Sequence, residues 1–334
     1  MSLGGLKSLA LQAFSPRPTI TEKNVPDLTG KAGTLFHVCL VTGSNTGIGK
    51  EIAQILYANN AKVYLAARSE EKTRKAMESI RVEIPKSTGS LEFIRLDLAD
   101  LTTIKKSAEE FLAKENKLHL LFNNAGLGWP EPGSQTVQGH ELQMGVNCLG
   151  PFLFTKFLTP TLIGTAKNSP KESVRVIWSS SSACDGLVVD HAFMDYVEHP
   201  QKKTVHQLYC TSKIGNYFYG VEYAARHKAD GLMSISLNPG HLDSDLWRTQ
   251  GAFKHWLLQK TVLHPVVYGA YTNLFAAFSS KLTMENNGTF VAPWGRIWQM
   301  TSDKVKAVVP KNEGGFGTST EFLEWTEAQV KPYV

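Results

Sequence analysis

The chain has 334 residues, 42% hydrophobic and 19% charged, the make-up of a globular protein and not of a disordered one. Its net charge of +5 is mild, and no long Lys/Arg run or basic-aromatic stripe offers a surface for nucleic acid. The four cysteines, Cys39, Cys148, Cys184 and Cys210, include no C-x-x-C pair. That argues against a disulfide framework or a metal site, and for reduced thiols in the cytoplasm.

Residues 1–30 read as an N-terminal arm. Leu3, Leu6, Ala10 and Phe14 are spaced three or four apart and outline one face of a short helix. That face could pack on the body, fray, or touch a membrane surface, with packing or fraying favoured. The segment lacks the run of about 18 apolar residues that a transmembrane segment needs. Pro16, Pro18 and Pro26 then mark an extended lead-in.

A short apolar run at 36–41 suits a buried strand. It passes straight into Thr42-Gly43-Ser44-Asn45-Thr46-Gly47-Ile48-Gly49 and a helical pattern at 48–57. Strand, glycine-rich turn and helix make the first half of a βαβ unit. Backbone N–H groups at such a turn can approach a pyrophosphate at the helix N-terminus. The second strand, 61–67, ends in Ala66-Ala67-Arg68. An acidic residue there would select a ribose 2′-hydroxyl. An arginine suits a 2′-phosphate, through paired charge-assisted hydrogen bonds. Arg68 as a solvated loop residue is the plainer alternative.

A polar helix at 70–83, a strand at 91–96 tipped by Asp97, an amphipathic helix at 102–114 and a strand at 119–122 follow. The last ends in Asn123-Asn124-Ala125-Gly126. Strands alternating with helices predict an α/β, doubly wound parallel sheet of about seven strands, with helices on both faces. Ligands in such folds sit beyond the carboxyl ends of the strands, where Gly43, Arg68, Asp97 and Asn123 all fall. A long helix at 138–162 is interrupted near Asn147, Gly150 and Pro151. A fifth strand at 174–178 runs into Ser179-Ser180-Ser181-Ser182.

Residues 184–206 read as an irregular insertion whose Asp190, His191, Asp195, Glu198 and His199 follow no metal-ligand spacing. The helix at 205–226 carries Tyr209 and Lys213 four residues apart, hence on one face. A neighbouring cation favours a phenolate and makes Tyr a usable proton donor or acceptor. A strand at 232–237 closes with Asn238-Pro239-Gly240. A stretch at 241–265 reads as a lid, a helix at 266–279 and a strand at 288–292 follow, and the tail is helical over 321–331. The expected division is an arm at 1–30, one domain at 31–300 including the lid, and a tail at 301–334 packing on that domain.

Taken in order, Thr42-Gly-x3-Gly47-Ile-Gly49, Asp97, Asn123-Asn-Ala-Gly126, Asn147, the serine run, Tyr209-x3-Lys213 and Asn238-Pro-Gly240 resemble the short-chain dehydrogenase/reductase family. The match covers roughly residues 30–295 and implies a single-domain Rossmann fold. Leu65-Ala-Ala-Arg68-Ser and Asn147-Cys-Leu-Gly-Pro-Phe152 bring it nearest to the retinol-dehydrogenase-like group. The resemblance implies a catalytic tetrad. Tyr209 is the general acid or base, and Lys213 lowers its pKa and holds the nicotinamide ribose. Ser181 bonds the substrate oxygen, with Ser180 as the fallback. Asn147 holds a water in a proton relay. It further implies that NADP(H) is bound by residues 43–49, Arg68, Asp97, Leu98, Asn123, Asn124, Ala125, Gly126, Tyr209, Lys213, Pro239, Gly240, Leu242 and Ser244. Trp178 and His241 depart from the family pattern and leave the pocket shape open. The helices at 138 and 205 often form dimer interfaces in this family; homodimer and monomer both stay open here.

The expected activity is hydride transfer between NADP(H) and a carbonyl or alcohol of a fairly apolar small molecule, mainly as reduction. Trp247, Phe253, Trp256, Leu257 and Leu258 in the lid suggest the apolar character, although core packing explains them nearly as well. Two rivals stand beside it. A dehydratase or epimerase of the same fold would turn over without net NADPH consumption. A catalytically silent NADP-sensing regulator would bind without turnover.

Overall fold

The computed structural model describes residues 3–29, 37–243 and 262–334. Eight strands form one sheet: β1 (Val38–Thr42), β2 (Lys62–Ala67), β3 (Ser90–Arg95), β4 (Leu120–Asn123), β5 (Arg175–Ser179), β6 (Met233–Leu237), β7 (Phe290–Ala292) and β8 (Arg296–Trp298). Their spatial order is β3-β2-β1-β4-β5-β6-β7-β8. The first seven pair in parallel, and β8 lies antiparallel to β7, with Phe290 opposite Trp298. The order reverses between β1 and β4, which is where a doubly wound sheet opens its ligand crevice.

β1 shows why the strands read as apolar runs. Val38 and Leu40 enter the core on one side of the sheet, Cys39 and Val41 the core on the other. With helices on both faces, alternation between polar and apolar residues disappears. One flank holds α2 (Gly47–Ala58) and α3 (Glu70–Glu83). The other holds α4 (Leu101–Leu112), followed by the short α5 (Leu142–Met144), a π-helical turn at Gly145–Leu149 and α6 (Gly150–Ala166). The break expected near Asn147 is this π turn. Residues Leu142–Ala166 are long and apolar enough to cross a membrane, yet Leu153, Phe154, Leu158 and Leu162 are wholly buried in the core.

The insertion contains a 3-10 segment, Ser182–Gly186, and the short α7 (Phe193–Glu198). α8 (Val205–Arg226) begins where the sequence placed it, because Thr204 and Gln207 exchange capping hydrogen bonds. Every residue from Leu208 to Gly220 on it is buried. α9 (Val267–Phe278), α10 (Ser302–Val308) and α11 (Thr318–Val330) complete the chain.

Two expectations need correction. The sheet has eight strands, not about seven: β8 is three residues long, too short for a two-residue period to show. The helix near the N-terminus, α1 (Leu3–Ala13), exists, but it turns the other way round. Gly5, Ser8 and Gln12 are buried, while Leu3, Leu6 and Phe14 are 87%, 55% and 76% exposed. Polar pairing, not apolar burial, sets its orientation.

Candidate active site

The strand ends converge on a cavity of about 870 Å³. Its wall includes Gly43, Asn45, Thr46, Gly47, Ile48, Arg68, Asp97, Leu98, Asn124, Ala125 and Gly126, then Ser179 to Ala183, Tyr209, Lys213, Pro239, Gly240 and Leu242. The residues singled out at widely separated points of the sequence are thus brought together.

The turn after β1 is shaped by glycine. Gly43 and Gly47 have φ of +66° and +58°, in the left-handed region where a side chain is costly. A Cβ on Gly49 would lie 2.5 Å from the Gly43 carbonyl oxygen and 2.7 Å from Asn124 Nδ2. Only a bare backbone fits. The Thr46 side chain does not cap the first N–H groups of α2. The Ser44 hydroxyl donates to the Val41 carbonyl. Ser44 and Gly49 therefore shape the turn from behind, without facing the cavity.

Threonine and asparagine lock β1 to β4. The Thr42 hydroxyl donates to the Phe122 carbonyl and accepts from the N–H groups of Asn124 and Ala125 at 3.0 and 2.9 Å. Asn124 Nδ2 donates to the Thr42 carbonyl. Asn123, expected at the cofactor, is not on the cavity wall: it is buried and donates to Thr155 Oγ1 at 2.9 Å. As the last residue of β4 it alternates away from Asn124. Arg68 is exposed at the cavity rim and joins none of the ion pairs found among the described residues. Ser244 and the five lid aromatics and leucines lie outside the described residues.

At the other end, the serine run divides its labour. Ser180 is buried and donates to the Lys213 carbonyl at 2.6 Å, with Cys184 Sγ 2.9 Å away. Ser181 is half-buried, accepts from the Ala183 N–H and lines the cavity with the Tyr209 phenol, whose ionised form it favours. The hydroxyl of Ser180, the fallback, is thus spent on the Lys213 carbonyl. The Ser179 hydroxyl is buried without a partner among the described residues.

Lys213 Nζ donates to the Ser179 carbonyl at 3.0 Å and lies 5.7 Å from the centre of the Tyr209 ring. Burial pushes the Tyr209 phenol up to about 12, against the downward pull of Ser181, and brings the Lys213 ammonium down to about 8. Desolvation is the largest influence on the Tyr209 phenol. Tyr209 is a neutral phenol, ready to donate.

Asn147 is committed to positioning. Its amide donates to the Leu127 carbonyl and to Ser212 Oγ, and its Oδ1 accepts from the Leu127 N–H. Both side-chain atoms of Asn147 thus hold neighbouring protein groups in place. The site also crowds around it: a Cβ on Gly126 would lie 3.1 Å from Asn147 Oδ1 and 3.3 Å from Lys213 Nζ.

Among the wall residues that sequence reasoning did not assign to the site are Leu9, Trp129 and His206, while His241, which it flagged as a departure from the family pattern, also lines the wall. The Trp129 ring centre is 5.0 Å from that of Tyr209, and its backbone has φ of +51°. Its only signal was an aromatic in the Gly-rich loop after β4. His241 approaches Ser182 Oγ at 3.5 Å, and burial lowers its pKa. Among the described residues no cluster of three or more His, Cys, Asp or Glu could hold a metal ion. The four cysteines are free and buried.

Known proteins resemble this chain. Residues 37–190 match the family model for short chain dehydrogenases. A protein of Phomopsis amygdali named short-chain dehydrogenase/reductase is 45% identical over all of this chain and 99% of its own length. Among solved structures, an NADPH-bound carbonyl reductase from chicken fatty liver is similar at a TM-score of 0.58 and 21% identity, covering 79% of this chain and 99% of its own. So is a 3-oxoacyl-[acyl-carrier protein] reductase of Brucella melitensis in complex with NAD, at 0.61 and 20%, covering 78% and 96%. At those identities the structures speak to the fold, whereas the full-length match, joined to the glycine turn, the Ser-Tyr-Lys set and the sheet order, places this chain in the short-chain dehydrogenase/reductase family.

Proposed function

We propose that the chain is an NADP(H)-dependent oxidoreductase, working as a carbonyl reductase or alcohol dehydrogenase on a fairly apolar small molecule. The observation that carries this reading is a single cavity joining the bare glycine turn to a neutral, buried Tyr209 flanked by Ser181 and Lys213.

The residues fit a dinucleotide. Gly43 and Gly47 take left-handed backbone, and a Cβ on Gly43 or Gly49 would clash, which suits the close backbone approach of a pyrophosphate cradle. Asp97 and Leu98 would border the adenine, Asn124 to Gly126 the ribose side, and Pro239, Gly240 and Leu242 the nicotinamide. Arg68 supports NADP over NAD: it is exposed at the rim, and β2 ends in Ala66 and Ala67 with no carboxylate to repel a 2′-phosphate. When bound, the nicotinamide supplies or accepts the hydride.

The chain's own groups handle the proton. In reduction the Tyr209 hydroxyl gives its proton to the carbonyl oxygen. Ser181, on the same cavity wall as that phenol, offers the same oxygen a second hydrogen bond. Lys213, cationic below about pH 8, stabilises the phenolate left behind. Asn147 fixes Leu127 and Ser212 around them. Leu9, Trp129, Leu142 and Leu242 give the wall the apolar character that suits such a substrate. The buried free thiols suit a reducing, cytosolic setting.

The test is NADPH oxidation against a panel of ketones and aldehydes, with Tyr209→Phe beside wild type. Turnover is expected to fall by at least about a hundredfold in the variant while NADPH still binds. Equal turnover in the two proteins removes Tyr209 from the mechanism.

A further inference from the structure

α1 is an odd helix. Its apolar residues Leu3, Leu6, Leu11 and Phe14 are exposed, and it buries glycine, serine and glutamine. A helix held only for stability would bury its leucines. The buried polar groups make directed bonds instead. Gln12, 2% exposed, donates from Nε2 to Asp185 Oδ2 at 2.9 Å and accepts at Oε1 from Asn238 Nδ2 at 2.9 Å. Asn238 in turn accepts the N–H of Gly240 at 2.9 Å. Asp185 belongs to the 3-10 segment that begins directly after Ser181. One carboxamide therefore ties together the loop carrying the candidate catalytic serine and the loop beside the candidate nicotinamide position.

The helix is itself fixed from the sheet edge. Trp298 Nε1 donates to Ser8 Oγ at 3.2 Å, and Arg296 Nη2 donates to the Leu11 carbonyl and to Ser15 Oγ. Both residues belong to β8, the strand the sequence did not announce. One helical turn before Gln12, Leu9 reaches the cavity wall.

We propose that the N-terminal helix is a working part of the substrate site: Gln12 is a positioning residue that sets the spacing of the Ser181 and Gly240 loops, and Leu9 is a specificity-determining residue of the wall. This rests on the oxidoreductase reading for its kinetic arm alone. A bidentate amide suits the task, since directed buried hydrogen bonds fix one geometry where apolar packing tolerates several.

The experiment compares wild type with Gln12→Ala, Gln12→Glu, Leu9→Ala and the double variant Gln12→Glu/Asp185→Asn. Gln12→Glu keeps the shape and the acceptor for Asn238 but cannot donate to Asp185. Adding Asp185→Asn exchanges donor for acceptor and restores the bond. Hydrogen exchange is read first, without substrate. The segments 182–187 and 236–243 should exchange about tenfold faster or more in both single Gln12 variants, and return toward wild type in the double variant. The turn at 43–49 should stay unchanged. Kinetically, Gln12→Ala should lower kcat/KM for ketones about tenfold with the Kd for NADPH within twofold of wild type. Leu9→Ala should shift the kcat/KM ratio between bulky and small ketones about fivefold or more toward the bulky ones. Unchanged exchange in the two segments, or no rescue in the double variant, overturns the role of Gln12. A constant ketone ratio overturns that of Leu9. If wild type turns over no carbonyl while exchange responds as stated, the oxidoreductase reading fails and the positioning role of Gln12 survives it.

Discussion

Two adjacent serines should separate cleanly when each is replaced by alanine. Ser181 favours the ionised form of the Tyr209 phenol and accepts a local hydrogen bond from the Ala183 N–H. Its hydroxyl is half-buried, so Ser181→Ala should cost about 1 kcal/mol of stability, the scale of a lost cap. Its loss from the reacting oxygen is larger, because a preorganised donor at a developing oxyanion is worth roughly 10²–10³ in kcat. Ser180 is the opposite case. It is 2% exposed and donates to the Lys213 carbonyl at 2.6 Å, away from the phenol. Ser180→Ala should cost roughly 1–3 kcal/mol for a buried bond left unmade, about 1–3 °C in Tm for each kcal/mol at this size, with kcat within about tenfold of wild type. Measuring kcat for NADPH-dependent ketone reduction and Tm on the same preparations reads both axes. A dead Ser180→Ala beside a fully active Ser181→Ala would refute the assignment.

Three further outcomes follow from the site. Arg68→Ala should raise the KM for NADPH by roughly tenfold or more and leave NADH nearly untouched, as loss of a charged hydrogen bond to a 2′-phosphate requires; an unchanged NADPH value counts against Arg68. Burial brings Lys213 down to about 8, so its ammonium form persists below that pH and is lost above it. The kcat/KM for reduction should therefore hold at lower pH and fall as pH rises through about 8, while Tyr209, at about 12, stays protonated throughout; a profile flat to pH 10 contradicts this. Gly49→Ala puts a Cβ 2.5 Å from the Gly43 carbonyl oxygen and should weaken NADPH binding at least about tenfold, seen by fluorescence titration, with wild-type affinity as the refuting result.

Much of the frame was legible because its signals are local. α3 and α8 have the predicted bounds, since each begins at a side-chain cap, Ser69 and Thr204. The glycine turn and the Tyr209/Lys213 spacing depend on backbone conformation and helical period, both readable in one dimension. What escaped depends on distant partners. The burial of Gln12 in place of Leu6 is decided by Asp185 and Asn238, far along the chain. Trp129 beside Tyr209 and the turning away of Asn123 toward Thr155 are likewise tertiary facts.

α8 also has a back. Gly215 faces away from the cavity, and a Cβ there would strike Phe322 of α11 at 2.6 Å and Cys148 at 2.9 Å. Phe322, Leu323 and Val330 are all buried. A second copy approaching α8 from this side meets the chain's own tail first. Peeling that tail off would return three large apolar side chains to water, at about 1.5–3 kcal/mol each. The C-terminal helix thus serves as a built-in neighbour, finishing the flank of the catalytic helix from within the same polypeptide.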